Sequence, residues 1–462
     1  MSVTHYLSIL FSRQRWRHAL LAALLLHFGL GAYAFTQDIA PGLNLSLLIN
    51  SVQFALIQAA LMLLYSNTSK QEGQRYSLDT RFYLTHYKDE RHRFLALQRR
   101  TTGGTRALAG IPASELLVPG LMRLTSRRDL MISQSVLEWA PQRRMMIDEV
   151  TFELMDEWYE LPWIVAEHGL DTILKRFNAV DRYDYNGLTL ATHDWRATSD
   201  RFALRFKKSF YYNYLATNML PEMRLPGGLT YRDLLEPGPG LSDLDTALPE
   251  NHLGLSCLIR TRDGALIIPR RSQHTNVFKG QLSPSVSGAA NLSTCRAPSG
   301  GYSPLAWLIQ ELIEELPFLA YSEEAFAEPL SQCLQRAEFL GMTRELRRCG
   351  KPEIFFYLPL EIDAERVMGL WNEHQQGDGS AKQLSGLQGI DHNENAGLLL
   401  IDEAELFQRI TPKAVLSKRR WPSAKPLELH VTLPQGDKAD ILSESLLANL
   451  ILYRLKYPAA TA

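Results

Sequence analysis

The segment IQELIEELPF, residues 309–318, combines three carboxylates with closely spaced apolar residues. Wound as an α-helix at about 100° per residue, it places Glu311, Glu314 and Glu315 on one arc and its leucines on the neighbouring arc. Carboxylates at positions i, i+3 and i+4 repel one another on a helix surface. Mg²⁺ takes oxygen ligands of this kind, often together with substrate phosphates. The segment therefore predicts an amphipathic helix whose acidic side is either a solvated surface or a metal site.

The composition is that of a folded protein with more than one unit. The chain has 462 residues, 45% of them hydrophobic, and a formal net charge of −1. That length favours two or three units. The charge lacks the basic excess of a general nucleic-acid binder, so no DNA or RNA polymer is expected as a partner. The four cysteines lack zinc-site spacing and are predicted to be reduced thiols.

The N-terminal region contains two long apolar runs, residues 19–35 and 45–65. About 20 apolar residues suffice to span a bilayer as a helix. Basic residues flank the pair on both sides, whereas the intervening turn holds only Asp38. By the positive-inside rule, this pattern predicts a two-pass protein of the bacterial inner membrane, with both termini and the main domain cytoplasmic. The flanking basic residues are Arg13, Arg15, Arg17, Lys70 and Arg75.

Alternatives stay open for this region. The arginine-rich start and the triplet Ala32-Tyr33-Ala34 also resemble a secretory signal with its cleavage site. Polar residues in the second run either hold the hairpin together or join it to another copy of the chain, which predicts a homo-oligomer. These residues form two rows, Asn44, Ser51 and Gln58 on one side, and Ser46, Asn50 and Gln53 on another.

Composition divides the chain into three predicted regions: a transmembrane hairpin over 1–68, an α+β intermediate domain over 69–235, and a second α/β domain over 236–462. In the last region, 253–261 alternates like a strand and 265–272 follows as its hairpin partner. A small-residue loop leads to the acidic helix, which begins at Ser303-Pro304. A second helix is expected over 323–336, strands over 352–362 and 397–402, a helix near 365–374 and a closing helix over 443–455.

This order of elements resembles the Nudix hydrolase fold, an α/β/α sandwich. The family signature is glycine, five residues, glutamate, seven residues, and then Arg-Glu-apolar-any-Glu-Glu-any-Gly-apolar. Residues 310–318 match its second half, so the resemblance implies metal binding by Glu311, Glu314 and Glu315. If the domain hydrolyses a substrate, it also implies catalysis by Glu314 and Glu315. The cofactor would be Mg²⁺.

The match departs from the signature at four points. Gln310 replaces the arginine, and Pro317 replaces the glycine that ends the helix. The gap after Gly288 is about eight residues longer than in the family, and Thr294 stands where the first half needs a glutamate. The resemblance covers residues 250–415. The degenerate box favours a domain that binds a ligand over an enzyme.

A hairpin joined to such a domain resembles the two-transmembrane Nudix-like effectors of the cyclic-oligonucleotide antiphage systems (CBASS). The resemblance implies that a cyclic oligonucleotide binds the cytoplasmic domain, and that the membrane segments then assemble and disrupt the bilayer. The alternative is a membrane-tethered, Mg²⁺-dependent hydrolase of a nucleoside-diphosphate-linked substrate. The candidate ligand-binding residues, each also readable as a structural charge, are Arg270, Arg271, Arg344, Lys351 and Glu353.

Overall fold

The computed structural model describes a mixed α/β protein. The residues described are 135–167, 186–223, 225, 229–272, 280–322, 325, 328–376, 395–414, 427–432 and 439–457.

Two predictions about the membrane are corrected. Within the described ranges, no helix combines the length and the apolar character needed to cross a bilayer. The predicted fold class, a two-helix transmembrane hairpin followed by a cytoplasmic α/β region with a Nudix-like α/β/α sandwich, is therefore replaced by a mixed α/β domain. The predicted two-pass inner-membrane location is corrected with it. The two apolar runs, their polar rows and the signal-like triplet lie outside the described residues.

The strands in the described part of the chain form one large sheet and two small ones. The large sheet has the order β1-β8-β9-β5-β6-β10, with β7 also paired to β5. The small sheets have the orders β2-β4-β3 and β11-β12-β13. The strands are β1 Ser135–Trp139, β2 Val150–Trp158, β3 Leu188–Ala197, β4 Phe202–Phe210, β5 Gly254–Arg260, β6 Ala265–Arg271, β7 Val286–Ala289, β8 Glu338–Glu345, β9 Lys351–Pro359, β10 Asn395–Asp402, β11 Ile410–Ala414, β12 Leu427–Thr432 and β13 Ala439–Ile441.

The helices lie between groups of strands along the chain. Within the described residues, short 3₁₀ turns occur at Ile147–Glu149 and Leu346–Arg348. The α-helices are α1 Tyr211–Thr217, α2 Tyr231–Leu235, α3 Pro304–Glu315, α4 Pro317–Ala320, α5 Leu330–Leu334, α6 Ala364–Gln376, α7 Glu403–Arg409 and α8 Glu444–Lys456.

Strand β5 is the branching point of the large sheet. On one side it pairs in parallel with β9 along its whole length. On the other side β7 pairs with residues 254–257 and β6 with residues 259 and 260, both antiparallel. Because β6 and β7 share one edge of β5, β6 separates from β7 beyond the β5–β6 hairpin. Arg271 at the end of β6 and Ser287 on β7 both contact Glu315 at the end of α3.

The two faces of this sheet carry separate apolar cores. On one face, Leu255, Cys257 and Ile259 pack with Leu308 and Leu312 of α3. On the other face, the core contains Leu258, Phe355 and residues of α8. Adjacent strand residues point to opposite faces, which explains how β5 serves both cores.

Helix α3 begins and ends where its sequence requires. The Ser303 hydroxyl accepts the backbone N–H of Leu305, and Pro304 occupies the first turn, where a missing N–H costs nothing. Pro317 lacks the N–H that would continue the ladder and instead starts α4. The predicted start at Ser303-Pro304 is confirmed, and Glu315 is left as the last residue of α3.

Strand β1 comes from the predicted intermediate region but pairs with β8 in the large sheet. The β2-β4-β3 sheet likewise packs on α3, with the Phe152 and Trp307 ring centroids 6.3 Å apart. Phe152 and Trp307 belong to the same apolar core as β5. The described residues on either side of the predicted boundary at 235 therefore share one core.

Candidate functional site

Glu311 points from α3 into the sheet and is almost completely buried. Its Oε1 accepts a 2.7 Å hydrogen bond from the indole N–H of Trp307, one helical turn earlier. The carboxylate lies against Gly288 on β7, where a Cβ would come within 2.1 Å of the Glu311 Cδ and Oε1. Real Cβ atoms do not approach heavy atoms so closely. Glycine at 288 is therefore what lets the Glu311 carboxylate lie against the strand.

Glu315, at the end of the same helix, contacts the edge of β7 and the end of β6. Its Oε2 accepts the backbone N–H of Ser287 over 2.8 Å. Its Oε1 lies 3.7 Å from Nη1 of Arg271, and the two side chains are only 4% and 11% exposed. The carboxylate is thus an enclosed ion-pair partner of an arginine.

Glu314 has a third, separate partner. It accepts a hydrogen bond from the side-chain amide of Gln310, four residues earlier on the same helix. Gln310 stands where the Nudix signature has an arginine. A neutral amide can form this bond but contributes no positive charge to the acidic side of the helix.

The three glutamates as arranged do not fit a three-carboxylate magnesium centre. Each of them accepts a hydrogen bond from a different protein group. Across the described ranges as a whole, no three His, Cys, Asp or Glu side chains are grouped so that they could hold a metal ion. A Mg²⁺ ion bound by Glu311, Glu314 and Glu315 would need one oxygen of each to point at a common position, a grouping that the described residues do not form.

Arg270 and Arg271 are neighbours in β6 and therefore point to opposite faces of the sheet. Arg271 lies beside Glu315, and its Nη1 also donates to the Ser287 hydroxyl over 3.2 Å. Arg270 is 45% exposed and donates to Asp440 on β13 over 2.6 Å. The structure thus brings Arg271, but not Arg270, to the acidic helix.

Arg344 lies away from this helix and is buried. Its Nε donates to the Gly350 carbonyl oxygen over 2.6 Å, and its Nη1 donates to the Ser242 carbonyl oxygen over 2.8 Å. A buried guanidinium that is hydrogen-bonded to carbonyl groups holds loops together. This placement gives Arg344 a structural task in the described chain.

Lys351 and Glu353 are paired with each other inside the protein. The Lys351 Nζ lies 3.8 Å from the Glu353 Oε2, and the Ser256 hydroxyl donates to the Glu353 Oε1 over 2.7 Å. A Cβ at Gly254 would come within 2.4 Å of the Lys351 Nζ. Burial, together with the positive charge of Arg348, lowers the pKa of Lys351 to about 8.

Glu250 and His252, which the sequence patterns do not single out, lie near this pair. Burial raises the pKa of Glu250 to about 8, although the Thr189 hydroxyl donates to its Oε1 over 3.0 Å. Burial and the positive charge of Lys351 lower the pKa of His252 to about 3. We call Glu250, His252, Lys351 and Glu353 the buried polar cluster.

The buried polar cluster leaves several polar atoms unsatisfied. Within the described residues, neither ring nitrogen of His252 nor the Glu250 Oε2 has a hydrogen-bond partner. The rings of Tyr214 and His252 meet edge to face, with centroids 5.0 Å apart. The His252 Nδ1 and the Glu250 Oε2 lie 4.0 Å apart, beyond hydrogen-bond distance, and burying polar atoms without such a bond is costly. The pair Glu250 and His252 is about 100 residues from the pair Lys351 and Glu353 in sequence, and no local pattern predicts that the two pairs meet.

Comparison with known proteins does not assign the chain to a family. No protein-family model matches it, and no curated protein does. Among solved structures, one match is the crystal structure of DR0079 from Deinococcus radiodurans, with 18% identity and a TM-score of 0.19. The match covers 33% of this chain and 67% of DR0079. So low a TM-score supports no inference about function. The described residues form a mixed α/β protein in which the acidic helix and the buried polar cluster both hold enclosed charged groups.

Proposed function

We propose that the described domain is a nucleotide sensor that binds a cyclic oligonucleotide without hydrolysing it, as part of a bacterial antiphage signalling system. The ligand class comes from the sequence-based resemblance to the antiphage effectors, of which the described residues carry the order of elements over 250–415 and the degenerate box. The membrane-disrupting output predicted from the N-terminal runs is not part of the proposal.

The observation that carries the proposal is the separate engagement of the three α3 glutamates. Hydrolysis of a diphosphate by a metal route needs carboxylates that gather Mg²⁺ against the substrate. Here the carboxylates are held by Trp307, by Gln310, and by Ser287 with Arg271. Carboxylates held in this way stabilise the packing of the helix, and the ligand is bound by basic groups beside them.

Arg271 is the predicted ligand residue best placed to contact a phosphate. It lies at the end of β6, beside the acidic helix, and carries a planar guanidinium that can form two parallel hydrogen bonds with an oxyanion. A ligand switches a protein only by binding one state better than another. A cyclic oligonucleotide has several phosphates and can contact two copies of the chain, which would favour a ligand-bound oligomer.

Binding is tested by titrating the purified full-length chain with cyclic di- and trinucleotides in EDTA, using isothermal calorimetry. We expect Arg271→Ala to lower the affinity for the cyclic nucleotide that binds by about tenfold or more, because a charge-assisted contact is lost. Arg270→Ala is the matched control, since it removes the same group one residue away on the opposite face. Absence of binding by every cyclic nucleotide, or equal losses in the two variants, would overturn the proposal.

The alternative is a Mg²⁺-dependent hydrolase, and one contact favours it. The Glu311 carboxylate packs against Gly288, and both residues stand at positions of the Nudix family signature. The hydrolase would show itself as Mg²⁺-dependent release of phosphate or nucleoside monophosphate from a nucleoside-diphosphate-linked substrate. Loss of that release in the Glu314→Gln/Glu315→Gln variant, with the fold intact, would establish the enzyme instead of the sensor.

A further inference from the structure

The carboxylate of Glu315 is surrounded by donors at the edge of β7 that faces away from β5. The backbone N–H of Ser287 donates to Oε2 over 2.8 Å, and the Ser287 hydroxyl lies 3.4 Å from Oε1. Nη1 of Arg271 lies 3.7 Å from the same Oε1 and donates to the Ser287 hydroxyl over 3.2 Å. We call the Arg271 guanidinium and the two Ser287 groups the anion cradle.

The anion cradle contains the donor types that bind phosphate in proteins. A guanidinium supplies positive charge and a planar pair of N–H groups, while a backbone N–H and a hydroxyl orient the bound anion by hydrogen bonds. A phosphate presents more acceptor oxygens than a carboxylate and can use the same donors. Both anions cannot occupy the cradle together, because like charges repel strongly in an enclosed site.

The position of Glu315 allows it to leave the cradle without unwinding α3. It is the last residue of the helix, and Leu316 after it already has a non-helical backbone, with φ −131° and ψ 56°. The main chain at Glu315 is fixed separately, since the Asn395 side-chain amide donates to its carbonyl oxygen over 3.3 Å. The backbone at Glu315 would therefore keep these contacts if the side chain rotated away from the cradle.

We propose that Glu315 is a built-in competitor for the phosphate of the ligand: a phosphate group binds the anion cradle once the Glu315 side chain has moved out. This rests on the proposed function and deepens it by naming the phosphate subsite and the group that occupies it at rest. The competition lowers the affinity for phosphate, because binding requires the state in which the Glu315 contacts are already broken. A weak resting affinity would keep the sensor from responding to abundant free phosphates.

The test measures the affinity of the full-length chain for inorganic pyrophosphate in EDTA by isothermal calorimetry. Glu315→Gln is expected to bind pyrophosphate about tenfold more tightly than the wild type, since the competing charge is gone. Glu314→Gln is the matched control, because it removes the same charge one residue earlier from a side chain bonded to Gln310. Its affinity should stay within about twofold of the wild type.

Two further variants test whether a gain in pyrophosphate affinity comes from the anion cradle. Adding Arg271→Ala to Glu315→Gln should abolish the gain, which shows that the gain depends on the cradle. If Glu315→Gln does not fold, Glu315→Asp keeps the charge but is shorter by one methylene, and it should still bind pyrophosphate more tightly than the wild type. An unchanged or weaker affinity in the folded Glu315 variants, or an equal gain in Glu314→Gln, would overturn the inference.

The two proposals fail separately. A gain in pyrophosphate affinity for Glu315→Gln, with no cyclic oligonucleotide bound by any form of the chain, would refute the proposed ligand and leave the competitor intact. Normal binding of a cyclic oligonucleotide, without any gain for Glu315→Gln, would refute the competitor alone.

Discussion

Replacing Glu250 with Gln should change how the stability of the protein depends on pH. Glu250 is fully buried, and its pKa in the folded state is about 8 against an ordinary value of 4.5. Between these values the folded carboxyl keeps its proton, whereas the unfolded carboxyl loses it. Folded chains therefore bind more protons than unfolded ones, and the wild type loses stability as the pH rises through this window.

The size of this change in stability follows from the pKa shift of Glu250. One pKa unit corresponds to about 1.4 kcal/mol, so the wild type should lose about 3 to 4 kcal/mol relative to Glu250→Gln between pH 5 and pH 8. Glutamine is neutral at every pH and has nearly the shape of a protonated glutamate, so it can still accept the Thr189 hydroxyl bond. The two proteins should be nearly equal in stability at pH 5, and the variant should be more stable at pH 8.

The assay is urea unfolding of the full-length chain, followed by tryptophan fluorescence at pH 5, 6.5 and 8. Glu365→Gln is the control, because it makes the same chemical change at an exposed position on α6, and its curves should run parallel to those of the wild type. Parallel pH profiles for Glu250→Gln and the wild type would refute the buried, protonated state of Glu250.

Two other predictions concern packing and the histidine. Gly288→Ala should lower the free energy of unfolding by about 1–3 kcal/mol in urea titrations, because its Cβ would collide with the Glu311 carboxylate. Gly397→Ala, with no atom within 4 Å of its Cβ, should change the free energy of unfolding far less. Equal losses in the two variants would contradict the predicted collision. His252 has a pKa lowered to about 3, so the wild type should lose stability as the pH falls from about 6.5 towards 3, where unfolded chains take up the proton first. His252→Gln should remove that part of the acid sensitivity in thermal unfolding scans; an unchanged acid profile would show that His252 is not buried in its neutral form.

Local sequence signals predicted the elements around the acidic helix. Alternation and a turn gave the hairpin that became β5 and β6, and a Ser-Pro cap gave the start of α3. The expected helix over 323–336 is present as the shorter α5, Leu330–Leu334, in the described part of that segment. Such signals work because capping, prolines and period-two patterns act within a few residues.

These local signals did not predict the contacts between the site residues. Glu250 and His252 approach Lys351 only because β5 and β9 pair in parallel, about 100 positions apart. The split of Arg270 and Arg271 between two faces follows from strand alternation, but their partners Asp440 and Glu315 depend on how distant elements pack. Sequence could therefore locate charged residues without predicting which of them meet.

The separation of ligand binding from metal chemistry is tested most directly by one calorimetric and chromatographic measurement. The full-length protein is titrated with the cyclic oligonucleotide that it binds, once in excess EDTA and once in MgCl₂, and the ligand is then recovered and analysed. The sensor account predicts the same dissociation constant in both buffers, within about twofold, and intact ligand after prolonged incubation. Binding that requires Mg²⁺, or a recovered ligand that has been cleaved only in MgCl₂, would contradict it.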